Sequence, residues 1–516
     1  MNNMRVSTNG GLVTENWFDL NASRYTASST LQRMELLKTG YMGTLSLGWD
    51  NYLFLELTGR QERSSTLKDQ SFFYPSANLS FLFSNAFRMP AWWNHGKLRL
   101  SYGVVGNAPE TYAANIIYEQ GSDNGFTWNY VPSSWGNANI RPEKKYEYEI
   151  GFESKFLNNR LGFDVSYYNN RVKDQILSTP QPSTSGVKYV LMNVGEVANE
   201  GWDISVSATP VLTKNFRWDL TANYGIYRNK VVKLADGVPY LEISNIGGGG
   251  AKIQAVEGRP MGDIYVQVPQ MNENGEYLVS DKGLYMNQTE LQRVGNINPD
   301  GVGGLFSSFS YKNIFLDFSI DFRIGGDVIN EMYQYSTASG LTPESLQFRD
   351  TEHGGLSYYY PGNNNASGVP VQVDPSLGAG PNGETVYHDG VILPGVVAST
   401  GEKNTRIIPA GYYYNQTYNW GTQPEQLTYR HSVFDNSYVK LRELTIGYQF
   451  PEKLISKLGM TRLSVSVFGR NLFYFYKALK NYDAESSVGT SWASQAVVGG
   501  STTATRNFGV SLQASF

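Results

Sequence analysis

Apolar and polar positions alternate with a period of two along most of this chain, the pattern of β-strands whose two faces meet different surroundings. From Ile314 to Gly325, Ile314, Leu316, Phe318, Ile320, Phe322 and Ile324 share one face, and Asp317, Ser319, Asp321 and Arg323 share the other. Tyr41, Gly43, Leu45, Leu47 and Trp49 alternate with Met42, Thr44, Ser46, Gly48 and Asp50. Leu53, Leu55 and Leu57 repeat the pattern against Glu56 and Thr58, as do Leu161, Phe163, Val165 and Tyr167 against Gly162, Asp164 and Ser166. Phe508, Val510, Leu512, Ala514 and Phe516 end the chain in the same phase. The periodicity predicts about 14 strands. They lie near 27–37, 41–50, 52–63, 73–84, 97–107, 144–157, 160–177, 199–209, 216–232, 303–312, 314–326, 438–450, 461–475 and 505–516. A weaker segment at 187–194 stands outside that count. No long periodic helix is predicted, and Glu452–Leu458 reads as one short helical turn.

The connections alternate in length. Short turns sit at Asp50-Asn51, Asn158-Asn159, Thr213–Asn215 and Lys312-Asn313, whereas long segments run over 107–142, 233–301, 327–436 and 477–504. A stretch of roughly 110 residues rich in Gly, Pro, Asn and Tyr is abnormal inside a compact soluble domain. It is normal for a membrane-spanning barrel with short turns at one rim and long loops at the other. A strand of about 10 residues tilted by ~40° spans roughly 25 Å, the height of such a barrel's apolar band. The expected fold is therefore all-β, an antiparallel transmembrane β-barrel with long extracellular loops and short periplasmic turns. A soluble all-β protein with one solvated face gives the same alternation and stays open. If the apolar stripe of 314–325 faces lipid, then Asp317, Asp321 and Arg323 face a wet or plugged lumen.

Composition narrows the chemistry. The chain has 516 residues, 42 Lys+Arg against 46 Asp+Glu, and a formal net charge of -4, which offers no electrostatic footprint for nucleic acid. It has no Cys, which excludes disulfides, thiolate metal sites and thiol nucleophiles. Aromatics reach 14% with 36 Tyr, 25 Phe and 10 Trp, a supply suited to interfacial girdles and stacking surfaces. The clusters Ala91-Trp92-Trp93, Tyr358-Tyr359-Tyr360 and Tyr412-Tyr413-Tyr414 read as girdle, sugar-stacking surface or loop packing, with packing or partner contact favoured for the last two. No run of apolar residues is long enough for a transmembrane helix. Met1–Asn9 has no apolar segment of the kind a signal peptide needs.

No catalytic, cofactor-binding or metal-binding residues are predicted, and no ligand-binding residues can be named. There is no Gly-x-Ser-x-Gly elbow, His-Glu-x-x-His pair or phosphate loop. Gly247–Gly250 before Ala251-Lys252 has the wrong spacing for a phosphate loop and reads as a flexible loop. His95, His353, His388 and His431 are scattered, and Asn272–Glu276 reads as a turn rather than a calcium loop. The expectation is that the chain is not an enzyme.

Several stretches resemble, in order, the C-terminal barrel region of the SusC/RagA family of TonB-linked outer-membrane transporters. They are Asn51–Leu67 (NYLFLELTGRQERSSTL, with Glu62-Arg63 where the family has an acidic-Gly pair), Tyr74-Pro75-Ser76, Leu98–Asn107 (LRLSYGVVGN) and Ile140–Phe152 (IRPEKKYEYEIGF). Leu161–Asp174, Asn193–Ile204 (NVGEVANEGWDI), Glu257–Tyr265 (EGRPMGDIY), Gly295–Tyr311, Tyr438–Tyr448 and Gly469–Phe473 (GRNLF) continue the series. The resemblance covers about Tyr41 to Phe516, and the terminal in-phase Phe516 resembles the insertion signal of outer-membrane proteins. It implies a plugged barrel of about 22 strands, of which this chain supplies about 14, in the outer membrane of a Bacteroidetes-like Gram-negative cell. On that reading 1–40 is the start of a fragment with one partial strand, 41–516 is barrel, 327–436 is a long extracellular loop region, and the plug and N-terminal domains are absent. The implied function is import of oligosaccharides or peptides without a cofactor. The implied partners are a SusD-like surface lipoprotein as lid, outer-membrane lipid, and TonB–ExbB–ExbD acting through the missing N-terminal part. A self-contained smaller porin-like barrel and a soluble all-β glycan-binding protein remain the alternatives.

Overall fold

The structure is a computed structural model that describes residues 2–68, 71–123, 126–418, 429–500 and 504–516. Thirteen strands form one antiparallel sheet in which every strand pairs with its neighbours in sequence. They are β1 (Lys38–Trp49), β2 (Leu53–Ser64), β3 (Ser71–Phe81), β4 (Trp93–Asn107), β5 (Glu143–Phe156), β6 (Leu161–Lys173) and β7 (Glu196–Leu212). The series continues with β8 (Phe216–Lys233), β9 (Gly301–Tyr311), β10 (Ile314–Ile324), β11 (Tyr438–Gln449), β12 (Arg462–Lys477) and β13 (Asn507–Ser515). Tight turns at one rim are built from residues that tolerate positive φ: Asp50 and Asn51 at 46° and 57°, Asn158 and Asn159 at 58° and 63°. Asn and Asp adopt this conformation more readily than other non-glycine residues, and it matches the twist of a two-residue hairpin.

Register carries the apolar stripe from strand to strand. Leu57 pairs with Leu45, Leu79 with Leu55 and Leu100 with Leu79. Ile150 pairs with Leu100, Val165 with Phe152 and Ile204 with Val165. Leu305 pairs with Ala222, Ile320 with Leu305, Ile446 with Leu316 and Val467 with Ile446. Val510 pairs with Val467 and closes the series. Directly paired residues project to the same face, so these side chains form one continuous apolar band. At the short-turn rim the band ends in rings: Trp92 stacks on Trp93 and on Phe156, and Trp218 stacks on Phe309. Tyr167, paired with Ile150 half-way up the wall, packs on Trp202, and Tyr224 stacks on Phe322 toward the long-connection rim. An apolar outer band edged by an aromatic cluster at the short-turn rim suits a bilayer.

The main sheet has one strand fewer than the sequence pattern suggests. The strand expected at 27–37 is Ser23–Arg33, which pairs instead with Asn2–Leu12 in a separate hairpin. Residues 1–40 thus hold two strands rather than one. Asn2–Leu12 is polar and ends in Gly10-Gly11, so it carries no alternation to read. Tyr189–Asn193, the weak segment, pairs with Ile176–Pro180 and Ser134–Trp135 outside the main sheet. Glu452–Ile455 and Ser456–Leu458 form the short helical turn expected there.

The larger departure lies in the long connections, which fold rather than run irregularly. The connection from β8 to β9 contains a four-stranded sheet ordered Tyr240–Ile246, Ala251–Val256, Asp263–Val266 and Gln292–Asn296. The connection from β10 to β11 contains the helices Glu331–Ala338 and Ala410–Tyr418 and a small sheet of its own. Three connections share one core: Ile253, Ile264 and Ile297 from the first, Ile329 and Tyr429 from the second, and Ala496 and Val497 from the third. Parallel pairings stitch them together, Ile329 to Val497 and Leu278 to Val396.

Candidate functional site

The face of the main sheet opposite the apolar band is polar and carries fixed ion pairs. Arg99 on β4 donates to Asp164 of β6 at 2.6 Å, to Ser166 Oγ at 3.1 Å and to Glu153 of β5 at 3.4 Å. The guanidinium reaches across β5 because Gly151 stands there; a Cβ at that position would lie 2.8 Å from Arg99 Nε. Further round, a cleft of about 590 Å³ opens on this wall, lined by Arg99, Asp164, Asp203, Asn223 and Gly304. Asp317 accepts from Ser308 Oγ at 2.6 Å, Asp321 is paired with Arg442, and Arg323 donates to the carbonyl of Ile297 at 3.0 Å. Asp317, Asp321 and Arg323 therefore lie on the wall opposite the apolar stripe, as the alternation predicts.

A second cluster pins the last long connection to this wall. Glu485 bonds Lys440 and Arg442 of β11, the latter at 2.9 Å through Nη1, and Asp483 accepts from Tyr474 Oη at 2.5 Å. Lys440 is buried, with its ammonium 4.7 Å from the Tyr474 ring centre. Burial opposes the charge on Glu485, yet the bonds from Arg442 and Lys440 hold its carboxyl below the ordinary value. Asp483 is likewise held down by Tyr474 and two backbone N–H groups against the cost of burial.

The tyrosine clusters of the long loop are packing groups. Tyr358 is buried, donates to Asp389 at 3.1 Å and stacks on Tyr387. Tyr414 is buried and donates to the carbonyl of Glu344 at 2.7 Å, while Tyr412 is more exposed. Trp92, by contrast, is 53% exposed on the apolar band at the short-turn rim, a girdle position. Gly247–Gly250 differs from the flexible loop expected of it. Gly247–Gly249 form a tight turn at positive φ, closed over the ring of Tyr429. Sequence alone could not place Tyr429 there, since the contact spans two connections.

The four histidines sit apart. His353 bonds Asp350 at 2.7 Å, His388 bonds Ser357 Oγ at 2.8 Å, His95 lies 3.6 Å from Glu153, and His431 packs on Tyr418. Among the described residues no group of three or more His, Asp or Glu side chains could hold a metal ion. Asn272–Glu276 is a turn closed on Asn272 Oδ1, which accepts the N–H groups of Asn274 and Glu276.

Comparison with known proteins agrees with this architecture. Residues 5–264 match the family described as TonB dependent receptor-like, beta-barrel. TonB-dependent receptor P3 of Formosa agariphila is 22% identical over 494 residues, 87% of this chain and 42% of that protein. TonB-dependent receptor SusC of Bacteroides thetaiotaomicron is 27% identical over 256 residues, 43% of this chain and 24% of SusC. Among solved structures, the RagAB peptide importer in the 'open-open' state has the same fold, with a TM-score of 0.67 at 19% identity over 95% of this chain and 48% of the matched chain. The chain thus spans less than half the length of each of these relatives.

Proposed function

This chain belongs to the TonB-dependent receptor β-barrel family, whose members are outer-membrane transporters and receptors, and from that premise we propose that it is the C-terminal part of the barrel of a SusC-type nutrient importer. The cargo is an oligosaccharide or a peptide, and a SusD-like lipoprotein closes the mouth over the loop layer. The observation that carries this reading is the separation of the two rims. One holds connections of 12 residues or fewer, four of them tight turns; the other holds three long connections fused around a common core. A rigid platform at one end of a lipid-facing wall suits the docking of a lid better than independent mobile loops would. The polar wall with its ion pairs suits a lumen filled by a plug or water. The plug, the remaining strands and the contact to TonB–ExbB–ExbD would come from sequence outside these 516 residues.

Deleting the gene in its host should abolish growth on one oligosaccharide or peptide source and spare growth on the corresponding monomers. A lipoprotein should co-purify with the intact importer. The chain alone should not restore uptake in the deletion strain; restored uptake would overturn the assignment as a partial barrel.

A further inference from the structure

Charge is almost absent from the outward face of the main sheet. Among the described residues of its strands, that face carries Arg63 on β2 and one compact block on β5–β8. The block begins above a row in which Ile150, Tyr167, Trp202 and Ile226 stand opposite one another on successive strands. Two residues nearer the long-connection rim, Glu200 is opposite Arg228. Two further on, Arg171 and Lys230 flank Ala198. At the strand ends Lys144 is opposite Lys173, and Glu196 stands between Lys173 and Lys233. Tyr146, opposite Arg171, is separated from Phe156 of the short-turn girdle by about ten residues of β5. A strand of that length tilted by ~40° rises about 25 Å, the height of an apolar band. The block therefore sits where hydrocarbon gives way to headgroups.

Its charge is one-sided. Six cations face two carboxylates, and both carboxylates are engaged: Glu196 accepts from Arg171 at 3.0 Å and Glu200 from Tyr167 Oη at 3.3 Å. Just beyond the strand ends Asp236 pairs with Lys233 at 3.2 Å and Asp174 with Arg141 at 2.8 Å. Among the described residues Lys144, Lys173, Arg228 and Lys230 enter no ion pair, and Lys173, Arg228 and Lys230 are exposed. Lys144 and Lys173 stand directly opposite each other, so their repulsion weakens the sheet. An anion seated between them turns that repulsion into attraction. Strand ends that only project into water need no such bias in sign, because mixed charges solvate them as well.

We propose that this block is a lipid site, which holds the phosphorylated headgroup of an outer-leaflet lipid. Lys144 and Lys173 grip it on one side of β7 and Arg228 and Lys230 on the other, while the acyl chains lie over Ile150 and Trp202. Cations at the headgroup level attract phosphate, and long basic side chains reach that level from positions slightly below it. The inference rests on the importer reading, which sets the long connections outside the cell, and adds a specific lipid contact to it. The site lies away from both free edges of the sheet, so this chain supplies it whole.

The full chain in detergent micelles, its fold checked by heat-dependent gel mobility, is titrated with diphosphoryl lipid A and with the same lipid stripped of its phosphates, and bound lipid is counted by native mass spectrometry. Diphosphoryl lipid A should bind, and the phosphate-free lipid should bind at least about tenfold more weakly. Lys144→Gln with Lys173→Gln, and Arg228→Gln with Lys230→Gln, should each weaken binding by about tenfold or more. Lys144→Arg with Lys173→Arg should retain it. Lys155→Gln with Lys214→Gln removes the same charge from the inward face and the short-turn rim and should leave binding unchanged. Failure of lipid A to bind, binding that survives both glutamine pairs, or an equal loss in the control pair overturns the site. Equal binding of the phosphate-free lipid overturns the phosphate contact, and displacement by an equimolar amount of inorganic phosphate overturns the lipid as its source. None of these results bears on the importer reading, which the growth phenotype of the deletion strain tests separately.

Discussion

Single residues decide how the loop layer holds together, and Gly247 is the plainest case. Its φ is 59°, and a Cβ built there would stand 1.9 Å from the Tyr429 hydroxyl. Both facts exclude a side chain, the first through backbone strain and the second through overlap with a fully buried ring. Gly247→Ala should cost about 1–3 kcal/mol and raise amide exchange over 240–256 and around Tyr429, with the main sheet unaffected. Glu485 makes a pH-dependent contribution. Its folded carboxyl is held below the ordinary value of 4.5 by Arg442 and Lys440 despite burial, and Asp483 is held below 3.8. Groups with lowered folded values bind fewer protons in the folded state, so their stabilisation is present above the unfolded values and is lost as pH falls through the folded ones. Protease protection of residues 478–500 should therefore be intact at neutral pH and disappear as the solution is taken below about pH 4. Glu485→Gln should expose the same segment at neutral pH, since it leaves the buried Lys440 without its carboxylate, at a cost of about 3 kcal/mol. Unchanged cleavage in that variant would show that the apolar contacts of Val497 and Val498 hold the segment alone.

At the level of elements, the two faces of each strand differ in their solvent, and a substitution on each can read that difference. Ile150 is 51% exposed at the middle of β5, beside Leu100. On a soluble sheet, Ile150→Arg at so exposed a position should be nearly neutral. On a lipid-facing wall it should cost about 2–4 kcal/mol, measured by equilibrium unfolding from lipid vesicles. Asn223→Ser, on the polar wall, should change little in the same assay. The strands of the main sheet were legible because each has lipid-type residues on one face and polar residues on the other, so alternation survives in the sequence. Ala251–Val256 was not legible for the opposite reason. It is buried on most of its positions, and its apolar partners come from connections far away in the chain. The helix Glu331–Ala338 hid for a similar cause. Its ordered start depends on Asn330, whose side chain accepts from Tyr333 N at 2.9 Å, and its Tyr333 packs on the rings of Tyr418 and Phe434 rather than on an aliphatic stripe. That Tyr240 and Tyr265 share a face of the four-stranded sheet could not be read at all, since only strand pairing sets them there. The polar wall was partly legible: Asp317, Asp321 and Arg323 could be assigned a face, but not their partners on β9 and β11.

At the scale of the whole molecule the sheet is open. β1 and β13 each have one neighbour, and among the described residues neither pairs with the other or with the N-terminal hairpin. Both edges carry apolar side chains on the lipid face, Leu45, Leu47 and Trp49 on one and Phe508, Val510 and Leu512 on the other, all more than half exposed. A strand edge in lipid leaves every second N–H and C=O without a partner, a cost of several kcal/mol per group that a bilayer cannot offset. The edges must therefore be paired by further strands, or by each other. The two solutions differ in a measurable way. If additional strands complete the wall, amides of 38–49 and 507–515 that point away from β2 and β12 should exchange rapidly in the isolated chain and become protected in the intact importer, while β5–β9 stay protected in both. If the thirteen strands close on themselves as a smaller pore, both edges should already be protected in the isolated chain, and the purified chain should conduct ions. The absence of cysteine helps here, because cysteines introduced at Ser46 and Ser511 would report any direct approach of the two edges without background. Rapid edge exchange together with no cross-link between those positions is the outcome expected of a partial wall. Protected edges in the isolated chain would replace the partial barrel with a self-contained one, and would remove the need for strands from any other source.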